Sequence, residues 1–331
     1  MSENKTEYAH PKTLKTYLYL YFSGFVMGCA EIVPGVSGGT MAFVLGVYET
    51  LINAIKSADL TSLRMAMKLD IKGILEYMPI RFLLALGIGM VTAVLLLASL
   101  IDGWLHNETT FLFAFFGGLI VASIIAVGAK VKWVPNAIII FIIGAMFAFF
   151  IVGFGTEEET TTDGDATHEV DEYVASPPLT LFFSGMVAIC AMILPGISGS
   201  FILLILGQYA AAVGAVKNLD IVSIMALGAG AAIGIIAFSR ILSWLLDNYK
   251  NVTVAALVGF MLGSLRLIWT RAVDGVDVVS ESGSLDGGQI VLAAILLVAG
   301  FVLVSLIDHL QDKDNPIFAL FWKPAIAPTE D

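Results

Sequence analysis

The chain has 331 residues, of which 58% are hydrophobic and only 14% charged, with a mean hydropathy of +0.90. Soluble domains carry nearer one quarter charged residues, so this composition excludes a water-soluble protein and specifies a polytopic membrane protein. A net charge of −11 and a pI of about 4.7 argue against nucleic acid as a partner.

The first 22 residues lack the short apolar core and small-residue cleavage site of a signal peptide, so the first apolar segment is read as retained. That segment, 17–55, is cut near its middle by "EIVPGVSGGT" (31–40), which no continuous helix accommodates without losing backbone hydrogen bonds. Residues 56–80 are mixed in charge and amphipathic, which predicts an interfacial helix. Apolar windows of about 20 residues then predict spans over 82–101, 111–129 and 134–154. An acidic stretch at 156–176, without Lys or Arg, marks the midpoint. The second half opens with an apolar segment, 179–216, cut by "MILPGISGSF" (192–201), and continues with spans predicted over 221–243, 252–270 and 288–307. Trp104, Trp133, Trp244, Trp269 and Trp322 fall near proposed span ends, as belt residues would.

The halves match. "YFSGFVMGCAEIVPGVSGGTMAFVLGVY" (21–48) set above "FFSGMVAICAMILPGISGSFILLILGQY" (182–209) gives 14 identities in 28 positions without a gap. The paired positions include Cys29 and Cys190, read as small packing residues and suggesting neither a disulfide framework nor a zinc site. Further matches pair 84–94 with 225–235 and 115–123 with 256–264. Each half has three clear spans plus a broken Pro-Gly-x-Ser-Gly segment, a re-entrant hairpin or else a pair of short helices, contributing zero or two crossings, so each crosses an odd number of times and the repeats are inverted. The predicted architecture is one all-α membrane domain: repeat 1 over 15–155, an acidic extracytoplasmic linker over 156–178, repeat 2 over 179–310 and a cytoplasmic tail over 311–331. With both termini inside, 14 of the 17 Lys and Arg lie on the cytoplasmic side, and only Lys217, Arg266 and Arg271 outside.

Inverted repeats with broken helices describe many secondary transporters, whose breaks meet near the midplane and form the substrate site. Pro34, Gly35, Pro195 and Gly196 break the helices here. Helices restarting at Ser37-Gly38-Gly39-Thr40 and Ser198-Gly199-Ser200 would turn unpaired N–H groups and hydroxyls into a protected cavity, a cradle for an anion such as phosphate. The competing reading is that proline and glycine only let the helices bend and pack.

Glu31 lies at membrane depth, and its counterpart is Met192, so duplication alone does not explain it. It is either a proton carrier or a carboxylate capping the nearby helix N-terminus. Arg240 and Arg266 are candidates to hand a phosphate across, with snorkelling to the interface as the alternative. Arg81 and Arg271, at span ends, read as interface anchors. "GVSG" and "GISG" also match the Gly-x-Ser-Gly around the nucleophile of rhomboid-type intramembrane serine proteases, but His10, His106, His168 and His309 fall in tails, loops or span ends, leaving neither Ser37 nor Ser198 an evident base. No metal or other cofactor is expected.

"EIVPGVSGGTMAFVLGVYE", "LPGISGSFILLILGQY", "FSRILSWLL" and "GSLRLIW" together resemble the prokaryotic membrane family catalogued as domain of unknown function 368, over about residues 15–310. The resemblance implies a non-enzymatic flippase of the cytoplasmic membrane that returns a polyprenyl phosphate such as undecaprenyl phosphate from the outer to the inner leaflet for envelope polymer synthesis. It further implies that the phosphate is held around Glu31, Ser37, Ser198, Arg240 and Arg266. The length and charge of the acidic linker depart from the family pattern. Inward movement of one negative charge against an interior-negative potential costs about 2.3 kcal/mol per 100 mV, so proton co-transport through Glu31 is the expected coupling. A permease for a small soluble anion and an intramembrane protease are the alternatives.

Overall fold

The computed structural model describes residues 8–33, 36–159, 176–280 and 284–311. Pro34, Gly35, most of the acidic linker and the C-terminal tail lie outside them. Fifteen helices in chain order account for the described residues: α1 Leu14–Ile32, α2 Gly38–Val44, α3 Tyr48–Lys56, α4 Leu60–Met67, α5 Ile71–Tyr77, α6 Ile80–Asn107, α7 Thr109–Gly128 and α8 Pro135–Glu159 form the first half. The second comprises α9 Pro178–Ile193, α10 Gly199–Ile205, α11 Tyr209–Lys217, α12 Ile221–Asn248, α13 Lys250–Asp274, α14 Val276–Val279 and α15 Gly287–Gln311.

Among the described residues six helices are long and apolar enough to cross a membrane: α6, α7, α8, α12, α13 and α15. Every predicted span coincides with one of them, 111–129 and 134–154 overrunning a helix end by a single residue. The two interrupted segments are not straight. The short pairs α2–α3 and α10–α11 bend by 116° and 114°, each at a turn whose glycine, Gly46 or Gly207, takes φ +64°, the left-handed region that favours glycine. Residues 56–80 form two short helices rather than one. Asp59 caps α4, with Ser62 answering as a capping box, and Asp70 caps α5. Two such caps eleven residues apart impose two starts.

The start of α1, α5 and the start of α6 share one face, where His10, Lys12, Lys72, Glu76 and Arg81 line a common cavity; this is called the amino-terminal face below. Helices α7 and α13 form the centre and run antiparallel. Near the far face Thr110 Oγ donates to the Ala272 carbonyl at 2.8 Å, and toward the amino-terminal face Gly128 lies by Val258. Their spans are 61% buried, against 17–28% for α6, α8, α12 and α15, whose apolar sides face outward.

The halves interlock. α1 lies along α6 and α9 along α12, while the last helix of each half packs on the central helix of the other, α8 on α13 and α15 on α7. With lipid as apolar as the helix surfaces, association depends on close backbone approach at small residues. Gly24 abuts the Leu86 carbonyl and Gly89 that of Tyr21; at the matching positions Gly185 abuts Leu227 and Gly230 abuts Phe182. Likewise Gly118 meets Leu297 and Gly300 meets Phe115, as Gly259 meets Phe141 and Gly144 meets Ala256. None of these sites has room for a Cβ.

Gly89→Val is expected to lower the detergent-solubilised melting midpoint, with a cost of at least about 1–3 kcal/mol from overpacking. Gly87→Val, where a Cβ would meet nothing within 4 Å, is expected to leave it unchanged.

Candidate functional site

The two breaks touch. Ser37 is the N-cap of α2, its hydroxyl accepting from Gly39 N at 3.2 Å and donating to the Leu194 carbonyl of the other break at 3.4 Å. Tyr48, at the start of α3, donates to the Ile193 carbonyl at 3.0 Å. A Cβ on Gly39 would lie 3.0 Å from that same carbonyl, so glycine permits the approach. Hydroxyls of the first half thus reach the carbonyls where α9 ends, Ile193 and the cap residue Leu194, the latter also accepting from Ile197 N at 3.3 Å.

Glu31, near the end of α1, turns back to accept from Gly38 N at 2.9 Å. A carboxylate there meets one of the orphan N–H groups of α2. A Cβ on Gly38 would be 2.6 Å from Glu31 Oε2. Glu31, Gly38, Gly39, Tyr48, Met192 and Ile193 line an otherwise apolar cavity of about 180 Å3 between the two halves. In the second break Gly196 takes φ +90° against α13. Ser198 and Ser200 share a hydrogen bond of 2.8 Å between their hydroxyls. The hydroxyls of Ser37 and Ser198 are therefore engaged with backbone groups and with Ser200, not with an imidazole. Thr40, Ser37, Gly38, Ser198 and Gly199 are buried, whereas Ser200 is exposed.

Ser200 opens onto a second cavity, about 340 Å3, on the far face. His106, Thr109, Tyr209 and Arg271 line it together with apolar side chains including Phe113 and Leu204. A guanidinium and hydroxyls on an apolar wall suit a phosphate carried on a hydrocarbon. Beside it, across the α6–α7 turn, Trp104, Phe111, Phe115, Leu292 and Leu296 line a nearly all-apolar groove of about 440 Å3.

Arg240 is placed toward the amino-terminal face, in a cavity of about 570 Å3 with Asp59, Ser62 and Ile236. The Tyr77 hydroxyl donates to Asp59 at 2.7 Å and holds its carboxyl below the usual range, with the N–H groups of Ser62 and Thr61 and the Arg240 charge acting in the same direction. Arg266 lies on another side of α13, toward α8: its guanidinium donates to the Phe149 carbonyl at 3.0 Å and sits 4.5 Å above the Phe149 ring. The predicted residues are therefore spread over four places: Glu31, Ser37, Gly38 and Gly39 at the contact of the breaks, Ser200 at the far-face cavity, Arg240 by Asp59, and Arg266 against α8. Arg271, read from the sequence as an interface anchor, lines the far-face cavity with His106, Thr109 and Tyr209, none of them in the expected phosphate set. In the structure Arg271 continues the buried stripe of Ser264, Leu267 and Ile268 one turn on.

The family model described as undecaprenyl phosphate translocase-like matches residues 27–284. This chain belongs to that family. A Vibrio cholerae protein named polyprenyl-phosphate transporter is 38% identical over 254 residues, covering 76% of this chain and 78% of that protein. A Staphylococcus aureus protein of the same name is 32% identical over 258 residues, covering 74% and 84%. No solved structure matches. Six membrane-length apolar helices in a member of this family make it a multi-pass membrane protein.

Tyr48 is 2% exposed and bonded across the halves, so Tyr48→Phe is expected to cost about 1 kcal/mol in thermal unfolding. Its counterpart Tyr209 is 44% exposed, and Tyr209→Phe is expected to leave stability unchanged.

Proposed function

We propose that this chain is a transporter returning a polyprenyl-phosphate carrier lipid, such as undecaprenyl phosphate, from the outer to the inner leaflet of the cytoplasmic membrane for envelope synthesis. The observation that carries the reading is the far-face cavity of Arg271, Ser200 and Tyr209 beside an apolar groove. The pair fits an anionic headgroup with an alkyl tail, whereas a permease for a small soluble anion has no use for the groove. The names of the two relatives support the same substrate class. Cytoplasmic placement of the amino-terminal face is supported by the excess of Lys and Arg expected on that side.

On this reading the headgroup enters beside Arg271, passes the contact between the breaks, and leaves beside Arg240, while the tail stays in lipid. Arg266 keeps α13 registered on α8 through Phe149. Headgroup entry carries negative charge inward, at about 2.3 kcal/mol per charge per 100 mV. Glu31, beside the path, is the proposed proton carrier that offsets this.

The test is reconstitution in liposomes with a fluorescent polyprenyl phosphate, reading headgroup accessibility to a membrane-impermeant quencher. Losing a charge-assisted contact of about 1.5–3 kcal/mol predicts that Arg271→Gln slows movement by about tenfold or more. Arg240→Ala is expected to slow release, and Arg266→Ala to lower thermal stability before it lowers movement. Wild-type protein that moves inorganic phosphate but no lipid under any imposed gradient would make it a soluble-anion permease. For the proton role, movement at fixed potential is expected to depend on pH and to be lost in Glu31→Gln, which keeps an oxygen acceptor for Gly38 N. A fully active Glu31→Gln removes that role.

A further inference from the structure

The two halves make equivalent contacts through α1, α6, α7 and α8 on one side and α9, α12, α13 and α15 on the other, but among the described residues the contacts of the first break's helices are not all repeated. Helix α3 packs along α12 of the opposite half, whereas among the described residues α11, the counterpart of α3, has no comparable packing on α6. The difference shows at single residues. Tyr48 is 2% exposed and its match Tyr209 is 44% exposed.

Polar groups fasten the docked side. Lys56 donates to Ser243 Oγ at 2.9 Å and lies 3.9 Å from Asp247. Ser243 in turn donates to Asn53 Oδ1 at 3.0 Å, and Lys250 pairs with Glu49 at 2.6 Å. All these contacts lie between α3 and the last turns of α12 or the first residue of α13, on the amino-terminal face. The undocked side is the far-face cavity itself, whose wall runs from Leu105 and His106 of α6 to Tyr209 of α11.

Transposing the docked contact by the repeat offsets gives a specific pairing. Position 56 maps to Lys217 by the offset that pairs Tyr48 with Tyr209, and position 243 maps to Asp102 by the offset that pairs Gly89 with Gly230. Lys217 and Asp102 are both exposed. The copy keeps the cation and sets a carboxylate where the original has a hydroxyl, so these two are complementary; Asp247 maps to His106, which lies 3.6 Å from Asp102, and the Glu49–Lys250 pair maps to Ala210 and Thr109 and has no copy.

We propose that the structure is one of two alternating arrangements, and that in the other α11 docks on α6 with Lys217 against Asp102, closing the Arg271 cavity while α3 leaves α12. This rests on the transporter reading for its purpose, since it would expose a bound headgroup to one face at a time. Its geometry rests on the duplication alone. The internal match supplies two packings of equivalent parts, and a polytopic protein with such parts needs only to exchange which side is docked.

The test is cross-linking in proteoliposomes on a Cys29→Ala, Cys190→Ala background. Lys217→Cys with Asp102→Cys is expected to be bridged by a bifunctional thiol reagent about as long as the lysine side chain it replaces, since a direct disulfide needs closer Cα atoms than a lysine contact does; Lys56→Cys with Ser243→Cys is expected to be bridged likewise, which shows that the background folds. Lys250→Ala, which releases Glu49, is expected to speed the far-face cross-link by up to about fivefold, the size of a partly exposed ion pair. Formation of the far-face cross-link with loss of lipid movement supports both readings. Its formation in protein whose wild type moves no lipid supports the exchange and removes the transporter reading. Absence of the far-face cross-link while the amino-terminal pair cross-links overturns the exchange, whether or not lipid moves.

Discussion

Hydrocarbon offers a backbone no hydrogen-bond partners, so a helix that stops at membrane depth must have its orphan groups met from within the protein. Most of this molecule's central chemistry follows from that demand. Helices end at Ile32 and Ile193 and start again at Gly38 and Gly199, and backbone groups there are met by side chains: Gly38 N by Glu31, Gly39 N and Leu194 O by Ser37, and Ile193 O by Tyr48. Because two of these bonds cross between halves, the breaks are held against each other. A buried polar contact inside an apolar bundle results.

The same demand explains why the glycines are placed as they are. Gly38 and Gly39 sit where a Cβ would strike the Glu31 carboxylate or the Ile193 carbonyl, so the hydrogen bonds and the missing side chains are parts of one solution. Away from the breaks, glycines in α6, α7, α12, α13 and α15 bring helix backbones together by equivalent contacts in the two halves. Those contacts are rigid and shared. The α3–α12 contact differs, since its ion pairs are partly exposed, and such pairs contribute about 0–1 kcal/mol each.

Periodicity and composition made the six spans legible, because a run of about 20 apolar residues has one stable outcome in a bilayer. The stretch 56–80 was less legible: its amphipathic pattern is continuous, but Asp59 and Asp70 each restart a helix by capping, a local hydrogen-bond choice that outweighs a weak pattern. Glu31 was recognised as exceptional because its repeat partner is Met192, yet whether it caps a helix or faces open space depends on how sharply the chain turns after α1. The arginines were harder still. Arg266 and Arg271 lie five residues apart on α13, about 140° apart around a helix of 3.6 residues per turn, so one meets Phe149 of α8 and the other a cavity by Ser200.

By itself the sequence determined the class, the six spans, the two interruptions and the match between halves, since these depend on hydropathy and on residue identity at fixed spacing. Only the tertiary structure decided that the halves interlock through exchanged last helices, that the first break's hydroxyls meet the second break's carbonyls, and that Arg271 joins Ser200. It also decided that α3 is docked while α11 is not. The reason is physical: two matched halves allow more than one packing, and the choice among them rests on contacts between residues more than 140 positions apart, which no local pattern encodes.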